Sequence, residues 1–269
     1  MISTVFLLLQ SLLLASVSST SYDLTTAQEA IYLSVATLCE KETYPTRTYV
    51  GPSAGFKYNA TIYDEDTDTN GYIGVLNNKI YVAIRGTDSY ENWLDDGECW
   101  MDSVDYCDDC KIHHGFHKCR DHVTDFVISQ VKRLRQDHPT YKIVSIGHSL
   151  GAAVSTLLAM DIVLNGYTNV EVYNFGSPRV GNDDWTTFAT KKLPITYRFT
   201  HYKDPVPHLP PTHLWYSHML NEIYENQEHA LKTCSGTEDS TCMMQWHDWE
   251  LDGDDHSLYL NLCTKCSCV

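Results

Sequence analysis

The carboxyl-terminal half of the chain switches repeatedly between two hydrophobic patterns. After Pro139, short segments rich in β-branched and aromatic residues alternate with segments whose apolar residues recur at helical spacing. The strand-like segments are 141–147, 169–176 and 195–202, and the helix-like segments are 150–164 and 182–193. This alternation predicts βαβ units, and therefore an α/β fold with a mainly parallel sheet flanked by helices.

The amino-terminal half adds further elements ahead of this alternation. They are a helix over 25–41, a hairpin of strands 71–76 and 79–86 around an Asn-Asn turn, and a helix over 116–134. In the first helix the apolar residues fall on one face, and Thr25 or Thr26 is the expected cap. Neither an internal repeat nor a low-complexity linker divides the sequence, so we expect one domain.

Residues 1–20 have the composition of a secretory signal peptide. An apolar run from Val5 to Val17 is followed by small residues suited to signal-peptidase cleavage. Lys and Arg are missing near the amino terminus, so an uncleaved membrane anchor is the alternative, although the run is shorter than a bilayer span. The expected mature protein is a single domain over 21–269, secreted or in the secretory-pathway lumen and with no integral membrane segment.

The charge balance restricts the classes of partner. The formal net charge is −16, with nineteen Lys and Arg residues. Nucleic-acid affinity depends on cations that replace counterions along the phosphate backbone, so we expect no nucleic-acid partner. Contact with a lipid surface would have to be hydrophobic, because anionic headgroups repel an acidic protein.

Cysteines and one sequon agree with a secreted protein. All ten cysteines follow residue 20, and an even number in an oxidising compartment predicts disulfides. Asn59-Ala60-Thr61 is the single Asn-x-Ser/Thr acceptor. We therefore expect Asn59 to be a glycosylation site, and if it is glycosylated it should lie on an exposed loop.

The segment Gly-His-Ser-Leu-Gly, 147–151, joins a predicted strand to a predicted helix. Glycines two residues before and after Ser149 let the chain turn sharply and expose the hydroxyl group, which is the context that gives G-x-S-x-G its meaning. The amide of Leu150, at the amino terminus of the helix, can face a developing oxyanion. The pattern predicts Ser149 as a nucleophile, which requires a base and an orienting carboxylate.

The carboxylate is expected after Ser149, at the carboxyl end of a later strand. Asp204 directly follows the predicted strand 195–202 and begins a proline-rich loop. Asp161, Asp183 and Asp184 compete with it, but they lie within or at the start of helices, where carboxylates usually form caps or face water. Asp204 is therefore the favoured acid.

The base cannot be chosen by spacing. The histidines after Ser149 are His201, His208, His213, His218, His229, His247 and His256. The chain order Ser, Asp, His removes His201, which precedes Asp204. The remaining histidines stay open.

Several ordered segments resemble the class 3 lipases, the fungal-type triacylglycerol lipases of the α/β-hydrolase fold. They lie between Gly71 and Cys263 and read YVAIRGTDSYENW, HHGF, IGHSLG, NFGSPRVGN, DPVPHLP and DHSLYL. The resemblance implies Ser149 as nucleophile, Asp204 as acid and His256 as base. It also implies an oxyanion hole formed by the amides of Thr87 and Leu150.

The resemblance further implies a lid over the active site, within 88–96. The lid residues are Asp88, Tyr90, Asn92, Trp93 and Leu94, and four acidic residues make this segment more polar than the family pattern. A lid with little apolar surface gains little at an oil interface, at about 25 cal/mol per Å² buried. We therefore expect weak interfacial activation, and soluble-ester hydrolysis, as in the related feruloyl esterases, is retained as an alternative.

Two disulfides follow from the resemblance as well: Cys39 with Cys263, and Cys234 with Cys242. The other cysteines are Cys99, Cys107, Cys110, Cys119, Cys266 and Cys268, and six cysteines allow fifteen pairings. Their pairing stays open.

Two metal-binding patterns compete with these assignments. Residues 107–119 hold a CxxC followed by histidines and a third cysteine, a ligand set for zinc, but an oxidising compartment favours disulfides there. Residues 66–71 copy the start of an EF-hand loop, but Asn77 stands where the loop requires a bidentate carboxylate. We expect neither a metal nor an organic cofactor.

Taken with the resemblance, the sequence predicts a secreted serine ester hydrolase, foremost a triacylglycerol lipase. Its partners would be a lipid or other ester substrate and, transiently, a lipid–water interface. The alternatives are a feruloyl-type esterase, a phospholipase or acyltransferase with the same residues, and a catalytically silent lipid-binding relative.

Overall fold

The computed structural model describes residues 22–86 and 99–269. The predicted signal peptide over 1–20, Thr87 and the predicted lid over 88–96 lie outside these ranges and stay predictions. Within the described ranges, no helix is both long enough and apolar enough to cross a membrane.

A mostly parallel sheet forms the centre of the described structure. The strands of the chain are β1 Lys57–Asp64, β2 Thr69–Leu76, β3 Lys79–Ile84, β4 Met101–Ser103, β5 Lys111–His113, β6 Lys142–His148, β7 Val170–Phe175, β8 Thr196–His201, β9 Glu222–Glu225, β10 Leu231–Thr233, β11 Leu258–Tyr259 and β12 Leu262–Cys263. The central sheet has the order β1-β2-β3-β6-β7-β8-β9-β10. Strands β3, β6, β7, β8 and β9 pair in parallel, and antiparallel strands flank them. The predicted parallel sheet is confirmed.

Helices cover both faces of the sheet. They are α1 Leu24–Ala36, α2 His114–Asp137, α3 Leu150–Leu164 and α4 Asp183–Lys192. Helix α1 packs on β6 and β7, whereas α3 packs on the same strands from the other face and is flanked by α2 and α4. Each central strand therefore contributes side chains to two hydrophobic cores, one on each face of the sheet. In β3, for example, Ile80, Val82 and Ile84 point to the core under α2 and α3, and Tyr81 and Ala83 point to the core under α1.

Helix α1 differs from its prediction at both ends. Its cap is Asp23 rather than Thr25 or Thr26, because the Asp23 carboxylate accepts a hydrogen bond from the Thr25 amide at 3.0 Å. The helix ends at Ala36 instead of continuing to residue 41. The carbonyl of Thr37 accepts a 2.6 Å hydrogen bond from the Tyr44 hydroxyl, which fixes the turn that follows.

A buried carboxylate joins α1 to the β2–β3 hairpin. Glu29 accepts hydrogen bonds from Lys79 Nζ and Asn77 Nδ2, both at 2.7 Å, and from the Tyr81 hydroxyl. The Glu29 side chain is 2% exposed, so its charge is separated from water and balanced by Lys79. The tight turn that presents Asn77 has positive φ at both residues, as the Asn-Asn sequence predicts.

Asn59 lies on a strand rather than on the expected loop. It occupies the irregularity between Tyr58 and Ala60 where β1 pairs with β2. Its side chain donates to Gln130 Oε1 at 3.2 Å and accepts from Arg133 on the adjacent helix α2. The loop placement was wrong because β1 is an edge strand whose half-buried polar residues obscure its alternation. Glycosylation of Asn59 stays a prediction.

The first helix is tied to the chain end by a different cysteine from the one expected. The structure joins Cys39 to Cys266, whereas Cys263 bonds to Cys268 across the last turn of the chain. Cys263 ends the β11–β12 hairpin, and the helical turn that follows brings Cys266 to Cys39. The expected Cys39–Cys263 pair is therefore wrong. The structure joins Cys234 to Cys242, the other pair that the resemblance implies.

The CxxC segment holds a disulfide, because Cys107 is bonded to Cys110. This bond removes two sulfur ligands from the zinc set. The rings of His114 and His117 contact Asp102 Oδ2 at 2.9 and 2.8 Å. Cys119 and Cys99 have free thiols among the described cysteines.

The segment that copies an EF-hand loop is the turn from β1 to β2. Asp68 in this turn pairs with Arg85 at 2.6 Å. Strands flank it on both sides, so the helices that hold a calcium loop are replaced by a hairpin.

Candidate active site

Ser149 occupies a strained turn between β6 and α3. Its backbone has φ 58° and ψ −133°, a conformation that L-residues rarely adopt. The side chain is almost fully buried, and the Ser149 amide donates to Phe175 O at 2.9 Å. The strand–turn–helix context predicted from the sequence is therefore present, and Leu150 begins the helix as expected. The first amides of α3 have no partner within the helix and point along its positive end.

The glycines of this turn allow a close approach of backbone to backbone. A Cβ atom at Gly147 would lie 2.3 Å from the Gly151 carbonyl carbon, and a Cβ atom at Gly151 would lie 2.3 Å from Ile84 O. Side chains at either position would force the strand and helix apart. The absence of side chains at Gly147 and Gly151 thus allows the Ser149 turn to pack closely against the end of β3.

The chain leaving β3 passes beside Ser149. A Cβ atom at Gly86 would lie 2.6 Å from His148 O and 3.2 Å from the Ser149 Cβ atom. Gly86 is the last described residue before the segment that holds Thr87. Gly86, which directly precedes the predicted second oxyanion donor in the sequence, therefore lies beside Ser149.

Asp204 follows β8, at the carboxyl end of the parallel strands. Its side chain is 1% exposed. The Oδ1 atom accepts from the Val206 amide at 2.8 Å, and Oδ2 accepts from His256 Nδ1 at 2.8 Å and from the Tyr259 hydroxyl. The carboxylate is thus held by donors on both oxygens.

The balance of these contacts favours the charged form of Asp204. Burial by itself would raise the pKa of the carboxyl group, but the charge and hydrogen bond of His256 and the hydrogen bonds of Tyr259 and Val206 outweigh it. The pKa of Asp204 is consequently lower than its ordinary value. An ionised, oriented carboxylate can fix the tautomer of a histidine and stabilise its protonated form.

The chain brings Asp204, His256 and the Ser149 turn together around one glycine. A Cβ atom at Gly176 would lie 2.9 Å from His256 Cε1 and 3.0 Å from Asp204 Oδ2. Gly176 follows Phe175, whose carbonyl accepts the Ser149 amide. A side chain at Gly176, which has φ 58°, would displace the histidine or the carboxylate.

His148 forms a second link between the serine turn and His256. Its ring stacks on the His256 ring with centroids 4.4 Å apart, and its Nε2–H donates to His256 O at 2.9 Å. Burial, and then the charge that His256 can carry, lower the pKa of His148 to about 3. His148 therefore stays neutral and supports the loop that carries His256.

The other candidate histidines have different surroundings. His218 is buried and its Nε2–H donates to Pro207 O at 2.7 Å, and burial holds its pKa well below the ordinary value. His229 contacts Glu225, and His213 and His247 are exposed. Among the described residues, His256 is the candidate histidine whose ring contacts Asp204.

The competing carboxylates also have other partners. Asp161 lies on α3, where it accepts from the Tyr106 hydroxyl at 2.8 Å and from Thr124 Oγ1 at 2.9 Å. Asp183 and Asp184 lie in the first turn of α4. None of the three is part of the cluster around Gly176 as the structure describes it.

Comparison with known proteins places this arrangement in a family. A family model described as "Lipase (class 3)" matches residues 81–214. The "Secreted mono- and diacylglycerol lipase A" of Penicillium cyclopium is 35% identical over 188 residues, which are 69% of this chain and 60% of the relative. The chain belongs to the class 3 lipase family.

Solved structures share the fold of this class 3 lipase chain along most of its length. A mono- and diacylglycerol lipase from Aspergillus oryzae is 28% identical, with a TM-score of 0.82 over 93% of this chain and 100% of that one. A triacylglycerol lipase with a serine protease triad as its catalytic centre is 25% identical, with a TM-score of 0.85 over 93% of this chain and 98% of that one. The α/β-hydrolase fold is confirmed. The chain spans 60% of the length of the Penicillium relative.

Sequence reasoning missed several residues that shape this class 3 lipase site. Tyr259 lies in the segment DHSLYL, but the family resemblance did not indicate its contact to Asp204. His148 was the unassigned residue between the glycine and serine of G-x-S-x-G, and Gly176 carried no signal. The chain order excluded His201 as the base but did not indicate where it lies. Its Nδ1–H donates to Asp255 O at 2.9 Å, and Asp255 directly precedes His256 in the sequence.

Proposed function

We propose that the protein is a secreted serine ester hydrolase that cleaves acylglycerols, with Ser149 as nucleophile, His256 as general base and Asp204 as the orienting acid. The observation that carries the proposal is the 2.8 Å contact between His256 Nδ1 and Asp204 Oδ2 beside the Ser149 turn. A buried carboxylate that receives Nδ1–H leaves Nε2 as the basic nitrogen of the ring. Membership of the class 3 lipase family supports the same roles.

In the first half of the reaction, His256 Nε2 takes the proton from Ser149 as its Oγ atom attacks the ester carbonyl carbon. The carbonyl oxygen becomes an oxyanion that the Leu150 amide stabilises, together with the Thr87 amide on the opposite side. The ester C–O bond then breaks, and the leaving alcohol takes the proton from His256. The acyl group remains on Ser149.

In the second half, water replaces the alcohol. His256 takes a proton from water as its oxygen attacks the acyl carbon, and the same oxyanion forms again. The bond between the acyl carbon and Ser149 Oγ breaks, Ser149 recovers its proton from His256, and a fatty acid leaves. No step needs a metal or an organic cofactor.

Side-chain removal tests the roles. Ser149→Ala and His256→Ala should each lower kcat on a soluble p-nitrophenyl ester by at least about 10³-fold, because the residues act as one unit. The exposed His247 supplies the matched control, and His247→Ala should retain activity. Full activity in Ser149→Ala, or loss in His247→Ala together with activity in His256→Ala, would show that the roles are misassigned.

A substrate panel tests the specificity. The names of the Penicillium and Aspergillus relatives support mono- and diacylglycerols as substrates, beside the triacylglycerols that the family pattern implies. Hydrolysis rates should be compared for monoolein, diolein, tributyrin, triolein, a phosphatidylcholine and a feruloyl ester. Acylglycerols should react fastest, and preference for the phospholipid or the feruloyl ester would contradict the proposal while leaving the catalytic residues intact.

We also infer secretion and cleavage after the apolar segment 5–17. The support is the composition of residues 1–20, the disulfides of the described structure and the secreted status in the name of the Penicillium relative. Amino-terminal sequencing of the protein from culture medium should begin near residue 21. A protein retained in the membrane with residues 1–20 attached would contradict this inference and favour the anchor.

A further inference from the structure

A second cluster of ligand-type side chains lies behind the candidate active site. His201 ends β8, Glu225 ends β9, and the two residues are neighbours in the parallel pairing of these strands. His229 lies in the turn after β9. One ligand atom from each of the three residues lies within 4.8 Å of the others.

We propose that His201, Glu225 and His229 bind a zinc ion that fixes the loop carrying His256. Two imidazole nitrogens and one carboxylate form a common protein ligand set for Zn²⁺, and a water molecule completes the tetrahedron. The cluster is independent of the proposed ester hydrolysis, which needs no metal.

His201 supplies the first argument. Its ring is 3% exposed, and Nδ1 faces the backbone carbonyl of Asp255 at 2.9 Å. A carbonyl oxygen only accepts, so Nδ1 carries the proton and Nε2 keeps a lone pair. Among the described residues, Nε2 has no hydrogen-bond partner.

A buried lone pair without a donor is costly in a folded protein, and a metal ion satisfies it. Metal-binding histidines usually donate their second N–H to a carbonyl or carboxylate, which sets the tautomer and the ring orientation. The hydrogen bond from His201 to Asp255 is of this kind. It leaves Nε2 as the ring nitrogen for coordination.

Glu225 and His229 supply the opposite side of the site. Glu225 is fully buried, with Oε2 accepting the Leu260 amide at 2.8 Å and Oε1 contacting His229 Nδ1 at 2.8 Å. The rings of His201 and His229 are nearly parallel, at an interplanar angle of 7° with centroids 5.7 Å apart. The His229 side chain is 27% exposed, so water can reach the fourth position.

The turn between the last two ligands is closed by its own backbone. The amide of Asn226 donates to Ala230 O at 3.1 Å, and the amide of His229 donates to Asn226 O at 2.9 Å. His229 is held there with φ 61°, which a non-glycine residue adopts at a cost. The chain therefore maintains a strained residue beside the carboxylate.

The site would act as a clamp on the catalytic loop. His201 and Glu225 end β8 and β9, and the backbone groups that they contact, Asp255 O and the Leu260 amide, lie on either side of His256 and Tyr259 in the sequence. Asp204 lies three residues after His201 in the sequence. A bound ion would therefore hold the acid and the base at a fixed separation.

Metal content of the whole secreted protein tests the proposal. After equilibration with one molar equivalent of ZnCl₂ and dialysis, elemental analysis of the wild type should give about one zinc per chain, and EDTA should remove it and lower Tm. His229→Ala should weaken Zn²⁺ binding at least about 100-fold. His213→Ala, which removes an exposed histidine, should bind like the wild type.

Wild-type protein that retains no zinc would overturn the proposal, as would undiminished binding by His229→Ala. Because His229→Ala leaves Glu225 unpaired and can lower stability by itself, Tm is measured with and without Zn²⁺. The ion should raise Tm of the wild type and of His213→Ala and leave Tm of His229→Ala unchanged. Ester hydrolysis by Ser149→Ala is a separate measurement, so either proposal can fail alone.

Discussion

At the scale of single residues, the hydroxyl of Tyr259 adds a hydrogen bond to the carboxylate that receives His256. Tyr259→Phe keeps the ring and removes this donor. A hydrogen bond to a charged group contributes about 1.5 kcal/mol, so kcat on a soluble ester should fall roughly tenfold. Tyr173→Phe is the matched control, because its hydroxyl accepts from the Asp23 amide at 3.3 Å, away from Asp204. Equal kcat values for the two variants would contradict a positioning role for Tyr259.

His148 gives the protein a specific sensitivity to acid. Its pKa is about 3 in the folded protein, against about 6.5 for an unperturbed histidine. Between these two pKa values His148 is protonated in the unfolded chain but not in the folded protein. The free energy of unfolding therefore falls as the pH decreases, by up to about 1.4 kcal/mol per pH unit.

Urea unfolding of wild type and His148→Gln at several pH values between 3 and 7 measures this effect. The wild type should lose stability relative to the variant as the pH falls, because glutamine does not titrate. His213→Gln, at an exposed position, should follow the wild type. Parallel curves for wild type and His148→Gln would show that His148 does not titrate as described.

At the scale of secondary-structure elements, Glu29 couples α1 to the β2–β3 hairpin through Lys79, Asn77 and Tyr81. Glu29→Ala leaves Lys79 with an uncompensated charge in a poorly hydrated site and should lower the free energy of unfolding by about 3 kcal/mol. Glu65→Ala, at an exposed residue, should change it by less than about 0.5 kcal/mol. Thermal melts compare the two, and similar Tm values would contradict a structural role for the buried ion pair.

Elements with a strong local pattern were predictable from the sequence. Strand β6, the Ser149 turn and α3 follow from a valine-isoleucine segment, two glycines and an apolar helix. The cap of α1 was not predictable from the sequence, because Asp23, Thr25 and Thr26 are all residue types that cap helices well and only the backbone geometry selects Asp23. Strand β1 was missed because Ile62 is its one fully buried residue, so the sequence lacks the alternation of apolar and polar residues that predicts a strand.

Contacts between distant residues depend on the fold. The partner of Asp204 is 52 positions away in the sequence, and spacing left six histidines open for that role. The family pattern selected His256. Neither spacing nor the family pattern indicated the lone pair of His201, which becomes visible when β8, β9 and the last loop are assembled.

At the scale of the whole molecule, the Cys39–Cys266 disulfide closes a loop of 227 residues. Closing a long loop reduces the entropy of the unfolded chain, and this contribution grows slowly with loop length. Cys39→Ala with Cys266→Ala should therefore lower Tm more than Cys234→Ala with Cys242→Ala, whose cysteines are 8 positions apart. The order of the two Tm losses by calorimetry checks this, and the reverse order would contradict it.

The strained backbone of Ser149 sets activity against stability. A residue with φ 58° and ψ −133° stores about 1–3 kcal/mol, which glycine does not. Ser149→Gly should therefore be inactive yet more resistant to urea than Ser149→Ala, which keeps the strain. The proposed nucleophile would then occupy a turn where its replacement by glycine stabilises the fold, which is the trade of stability for activity expected at a catalytic site.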